Sequence, residues 1–117
     1  MDTCPCCGYK VFEQSGNYEI CPICFWEDDG VQSADPWFAG GANVPCLVEA
    51  QKNYIKYGAM EKRFLGNVHK PTDSDEKDPE WRLVNELDRK FVTTPREIEE
   101  QLGSNRVIPY EFWKRNA

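Results

Sequence analysis

Three features of the 117-residue sequence predict an α+β fold. Two Cys-x-x-Cys pairs lie close together near the start, apolar residues recur at helical spacing from Leu47, and a polar, proline-flanked stretch precedes a second set of helix signals. The expected architecture has two cysteine knuckles and a β-hairpin with one packed helix over residues 1–66. A linker and a helical C-terminal extension then occupy residues 67–117.

The cysteine unit reads CPCCGYKVFEQSGNYEICPIC from Cys4 to Cys24. Two Cys-x-x-Cys turns bring four thiolates to one point when a hairpin sets them side by side, and the ligands assigned on this spacing are Cys4, Cys7, Cys21 and Cys24. Pro5 pre-sets the first turn, and Gly8 lets the chain curl beneath a metal without a Cβ. The second turn keeps a proline, Pro22, but carries Phe25 in place of the glycine. Strand-forming Tyr9 and Val11, the turn signal Ser15-Gly16-Asn17, and Tyr18 and Ile20 then suggest a hairpin between the knuckles, completing a zinc ribbon. Thirteen residues separate Cys7 from Cys21, slightly fewer than in the usual ribbon.

Two disulfides are the competing use of these cysteines. The metal-ligand spacing, an opening MDTC without an apolar run, and a length sufficient for a core without staples favour reduced thiols and a cytoplasmic location. Cys6 reads as the second position of the first knuckle. Cys46 falls where a helix N-cap belongs, with Glu49 placed as in a capping box, but a thiol caps poorly and a free, half-buried thiol is expected.

CPCC at Cys4 to Cys7, ICPICFWEDDG at residues 20–30, ADPWFAGGAN at 34–43 and LVEAQKNYIKYGA at 47–59 together resemble the bacterial cysteine-rich CPCC family. The resemblance spans a little more than the first half of the chain. It implies a small intracellular metal-binding domain and no particular reaction.

Charge is unevenly placed. Residues 1–40 hold Asp2, Glu13, Glu19, Glu27, Asp28, Asp29 and Asp35 against Lys10 alone, which accounts for the whole net charge of −6. A nucleic-acid ribbon draws its affinity from basic residues on phosphates, so this one is expected to bind no nucleic acid. An acidic face suits a basic protein partner instead, although it also serves plain solubility. No apolar stretch reaches the length of a membrane span.

The loop FWEDDGVQSADPWFAGGANVP, residues 25–45, carries Phe25, Trp26, Trp37 and Phe38 to cover the hairpin. Its Trp26, Glu27, Asp28, Asp29, Asp35 and Trp37 are the candidate partner-binding residues. The same acids offer oxygen ligands for a second cation, but consecutive carboxylates cannot all face inward and no EF-hand spacing is present. Leu47, Ala50, Tyr54 and Ile55 then form the apolar side of a helix stopped by Gly58. Polar residues 66–79 read as a linker. Asp78 and Pro79 open a second helix with a Trp81, Val84, Leu87 and Phe91 stripe, and Thr94-Pro95-Arg96-Glu97 opens a third that ends at Leu102-Gly103. The aromatics Tyr110, Phe112 and Trp113 either return to the core or meet a partner, with the core favoured.

Enzyme chemistry is not expected. His69 stands alone in a polar segment, no phosphate-binding loop or dinucleotide fingerprint is present, and four cysteines leave a metal no open position. The expected function is a non-enzymatic, zinc-stabilised protein-binding domain, in concrete form an immunity or antitoxin-like inhibitor of a basic toxin. Electron transfer by iron in a rubredoxin-like centre is the alternative from another class, weakened by Phe25 where a second glycine would free the backbone amides. A nucleic-acid-associated ribbon is the remaining alternative.

Overall fold

The structure is a computed structural model, describing residues 1–92, 94, 96–97 and 111–115. Among the described residues the regular elements are few: strands β1 (Asp2–Thr3) and β2 (Lys10–Phe12), helices α1 (Gly30–Ala34) and α2 (Leu47–Tyr57), and 3₁₀ turns at Lys62–Asn67, Glu86–Phe91 and Phe112–Lys114. The core gathers around five cysteines. Cys4, Cys6, Cys7, Cys21 and Cys24 are buried with Phe12, Ile23, Trp26, Leu47, Ala50, Met60, Phe112 and Trp113.

The expected hairpin between the knuckles does not form. β2 turns back instead on the residues before Cys4, with Asp2 opposite Phe12 and Thr3 opposite Lys10, so the first knuckle is the loop of its own antiparallel ladder. The second knuckle is likewise enclosed by a bridge between Ile20 and Glu27. Closure of the turns explains the choice. The Cys4 N–H donates to Tyr9 O (2.8 Å) and the Gly8 N–H to Cys4 O (2.9 Å), while the Cys21 N–H donates to Trp26 O and the Phe25 N–H to Cys21 O (both 2.9 Å). Each knuckle therefore pairs the two sides of itself, and Ser15 and Gly16 simply turn the chain between them.

Gly8 and Phe25 occupy equivalent places and both have positive φ, 83° and 72°. Glycine is required at the first for a further reason. A Cβ on Gly8 would lie 2.5 Å from Trp81 Cε3, because the Trp81 ring rests on this turn and its indole N–H donates to Pro5 O at 3.0 Å.

Residues 66–79 are not a free tether. The Lys10 N–H donates to Glu76 O and the Asp78 N–H to Gly8 O (both 2.8 Å), Tyr9 bridges Lys77, and the His69 N–H reaches Pro22 O at 3.2 Å. The segment thus lies along the outer edge of the first knuckle and touches the second. Its backbone does the binding, which is why a polar composition does not announce it.

α2 forms where its pattern places it. Gly58 ends it with φ 96°, and Cys46 stands at the N-cap with no side-chain bond, as a free and half-buried thiol. Its inner face differs from expectation. Ile55 is 67% exposed, while Gln51 is 3% exposed. Gln51 is one turn from Leu47 and Tyr54 on the same side, and burial is tolerated because Nε2 donates to Pro5 O (2.9 Å) and Oε1 accepts from the Val84 N–H (3.0 Å).

The helix expected from Asp78 and Pro79 is replaced by a single turn, in which Asp78 Oδ1 accepts from the Glu80 N–H at 2.9 Å. Trp81 and Val84 reach the core from irregular backbone, and the Val84 amide used by Gln51 would be committed inside a helix. A 3₁₀ turn follows at Glu86–Phe91, opened by an Asn85–Asp88 capping box; its Leu87 is 67% exposed, so the anticipated stripe is not buried. Asp88 also holds Arg82 through two contacts of 2.8 Å. The reciprocal bonds of the Thr94–Glu97 box are present, at 2.8 and 3.2 Å. Leu102, Gly103 and Tyr110 lie outside the described residues. Phe112 and Trp113 dock on the core edge to face, and Arg115 ties them down by donating from Nη1 to Ala34 O (3.1 Å) and Phe91 O (2.8 Å).

Candidate metal centre

Each knuckle presents two sulfurs inward, and the structure brings Cys4, Cys7, Cys21 and Cys24 together. All four sulfurs lie within 4.8 Å of one another, with Cys4 Sγ 3.6 Å from Cys24 Sγ and Cys7 Sγ 3.7 Å from Cys21 Sγ. A tetrahedral ion with metal–sulfur bonds of about 2.3 Å requires sulfurs about 3.8 Å apart. The donor set fits such an ion. The four residues are at most 1% exposed, and Ile23 and Cys24 donate their N–H groups to Cys21 Sγ, both at 3.4 Å.

Electrostatics point the same way. Burial pushes the thiols of Cys4 and Cys24 well up, whereas hydrogen bonds from Cys24, Cys4 and Cys7 pull Cys21 far down. Without a counter-charge the cluster therefore shares negative charge unequally and retains protons. A divalent cation favours four thiolates at once, and binding it releases those protons. Cys6 is not one of the converging four, although its thiol lies against that of Cys24; it is buried in the core, and desolvation pushes its thiol up.

The loop after the second knuckle holds the centre from outside. Trp26 is fully buried and its indole N–H finds no partner, so it serves the core by bulk. Asp29 caps α1, accepting from the Val31 N–H (2.8 Å) with one oxygen and from the Ala42 N–H (2.9 Å) with the other. Asp28 Oδ2 accepts from the Gly16 N–H at 2.6 Å and so fixes the turn between the knuckles. Asp35 Oδ1 accepts from the Trp37 N–H (3.0 Å), and the Arg89 guanidinium lies 4.3 Å from the centre of the Trp37 ring. Of the six candidate partner-binding residues, Trp26, Asp28 and Asp29 are thus interior; Glu27, Asp35 and Trp37 are half-buried. Asp28, Asp29 and Asp35 bind backbone amides rather than converging with Glu27 on a second cation, and Phe38, expected to cover the hairpin, is 42% exposed.

Two residues with no sequence signal organise this loop. Gln32, fully buried, donates from Nε2 to Phe38 O (3.0 Å), Asn43 O and Pro45 O (both 3.1 Å), while its Oε1 accepts from the Asn43 N–H and Nδ2. Asn43 in turn clasps Glu27, accepting from its N–H (2.9 Å) and donating to its carbonyl (2.8 Å). A carboxamide has both a donor and an acceptor in one plane, so it can stand in for a peptide group. Polarity alone places such residues on the surface.

Asp28 makes a pH prediction. Burial raises its carboxyl to about 6, helped by Glu111, Glu19 and Asp2 and opposed by the Gly16 N–H. Because the folded value exceeds the ordinary 3.8, its contribution is fully present below about pH 4 and is lost as the pH rises to about 6. Asp28→Asn keeps an acceptor for Gly16 and removes the charge. It is expected to stabilise the metal-loaded protein by about 2 kcal/mol at pH 7.5, with the advantage vanishing below about pH 4. Urea denaturation of both proteins at each pH checks this; an equal difference at all pH values would refute it.

Fold and centre define a small α+β domain built around a four-cysteine cluster able to hold a metal ion. The chain belongs to the cysteine-rich CPCC family, whose family model matches residues 2–75. No curated protein matches the chain. Among the described residues no helix is long and apolar enough to cross a membrane.

Proposed function

We propose that the chain is a non-enzymatic, zinc-stabilised domain that binds a basic protein, with inhibition of a basic toxin as its narrower form. The observation that carries the metal role is closure: four buried sulfurs supply a full tetrahedral shell and leave no position for a substrate. Bound there, a divalent ion cross-links the two knuckles. The partner reading is supported by charge, since Asp2 and Glu13 remain exposed and Glu19, Glu27 and Asp35 half-exposed, and residues 1–40 contain Lys10 as their one lysine or arginine. Complementary charge accelerates and selects such encounters. Pull-down from the source cells with mass spectrometry tests it: a basic protein is the expected catch, and recovery of nucleic acid alone would remove the reading.

One observation favours iron as a second reading. Phe25 adopts the same left-handed backbone as Gly8, so the missing glycine does not prevent a second knuckle of the form an iron centre uses. Colour and elemental analysis separate the two. The zinc protein is colourless, whereas an iron centre is red and bleaches on reduction.

A further inference from the structure

Residues 111–115 close over a carboxyl. Between this segment and Asp28 lies a cleft with about 10 Å³ of room, lined also by Thr3, Ser33 and Trp113, with Glu111 on the segment's own side. That volume holds about one water molecule. Asp28 is 3% exposed, and among the described residues the hydrogen bond its carboxylate accepts is that of the Gly16 N–H. A carboxylate in water takes several donors. Here it has one amide and space for one water.

The charges around Asp28 do not compensate for this. Asp2 from β1, Glu19 from the stretch before the second knuckle and Glu111 from the segment all face it with the same sign. α1, which adds Gly30 and Ser33 to the lining, carries no charge. Bases of the neighbouring elements are engaged elsewhere: Lys114 with Glu111 at 3.7 Å, Lys10 with Glu76 at 3.4 Å, and Arg115 with the carbonyls of Ala34 and Phe91. The segment's own docking is also incomplete. Phe112 and Trp113 are buried, but the Trp113 indole N–H has no partner among the described residues. Opening the segment would give water to both that N–H and Asp28.

An equilibrium that buries a carboxyl is governed by that carboxyl's proton. We propose that Asp28 is a proton-operated latch for residues 111–115: the protonated side chain holds the segment closed, and the carboxylate, facing Glu111, loosens it and bares the strip beside Ala34. The sign follows from burial. Docking raises the carboxyl from 3.8 to about 6, so closure is strongest below about pH 4 and weakens until the pH passes about 6. Between pH 5 and pH 7.5 the ratio of closed to open segment is expected to fall about ten-fold. This device is independent of the protein-binding reading above.

Hydrogen exchange of the indole N–H groups in the metal-loaded full chain, followed by NMR and referred to free tryptophan at the same pH, tests it. Trp26 is the internal reference, because its indole N–H is likewise buried and unpartnered but lies in the core and is reached only when the domain unfolds. Trp113 is expected to be less protected than Trp26, with protection about ten-fold lower at pH 7.5 than at pH 5. Asp28→Asn should remove that difference and leave Trp113 at the higher protection. Equal protection of Trp113 and Trp26 would overturn the latch, since the segment would then open only with the whole domain. Trp113 protection that ignores pH would overturn it as well, and so would a pH dependence that survives in Asp28→Asn.

Discussion

Serine in place of Cys4, Cys7, Cys21 or Cys24 is expected to abolish stoichiometric metal binding and unfold the two-knuckle unit. Structural zinc contributes about 10–16 kcal/mol in small peptides at neutral pH, as much as the roughly 5–15 kcal/mol that holds a whole domain folded. The regular backbone around the centre is slight. β1 and β2 together comprise five residues, and the second knuckle has one bridge, so the sulfur cluster must hold what these ladders cannot. Cys6→Ser and Cys46→Ser should retain one equivalent of metal, since neither belongs to the converging four. Acid should release the ion, because protons compete for every thiolate. Elemental analysis with circular dichroism before and after chelation checks all of this. Chelation that strips the metal and leaves the fold intact would defeat the structural role; loss of metal in Cys6→Ser but not in Cys4→Ser would defeat the ligand assignment.

Gly8→Ala is expected to be the most damaging conservative change outside the ligands. The residue sits at φ 83°, where an L side chain costs about 1–2 kcal/mol, and its Cβ would press on the Trp81 ring at 2.5 Å. Overpacking adds about 1–3 kcal/mol, for a total of about 2–5. Trp81 cannot retreat without losing its bond to Pro5 O. Urea denaturation of metal-loaded protein measures the loss, and Gly8→Ala combined with Trp81→Ala should cost less than the two separately. Phe25→Gly is the informative contrast, since it relieves a similar strain and forfeits the Phe64 contact; a near-neutral effect is expected. A cost below about 1 kcal/mol for Gly8→Ala would show that the ring does not press on this turn.

The legible parts of the molecule were those with a spacing rule. Cys-x-x-Cys identified the converging sulfurs, and the run from Leu47 to Gly58 located α2 with its stop. The strand pairing is not legible, because Val11 and Ile20 look equally suited to a hairpin and local preference does not say that each knuckle closes on itself. Residues 76–81 are illegible for the opposite reason, as their contribution lies in backbone amides and one indole. Asp28, Asp29, Gln32 and Asn43 were lost to polarity. Each is interior because a backbone group awaits it, and partners scattered between Gly16 and Pro45 have no signature in the local sequence. The reciprocal Thr94–Glu97 bonds show that a motif with its own geometry is readable from the sequence.

The bond from Arg115 to Ala34 spans 81 residues, and it has a consequence for how the chain is made. During synthesis the knuckles emerge before the C-terminal segment, and their four cysteines can converge while the rest is still on the ribosome. Phe112, Trp113 and Arg115 emerge only after a long delay. Until then the strip beside Ala34 that receives them stays uncovered, with an apolar surface and an unanswered carbonyl. Closure of the cysteine cluster and completion of the core are therefore separate events in the life of a nascent chain, and the interval between them is when the domain is most open to aggregation or to a chaperone.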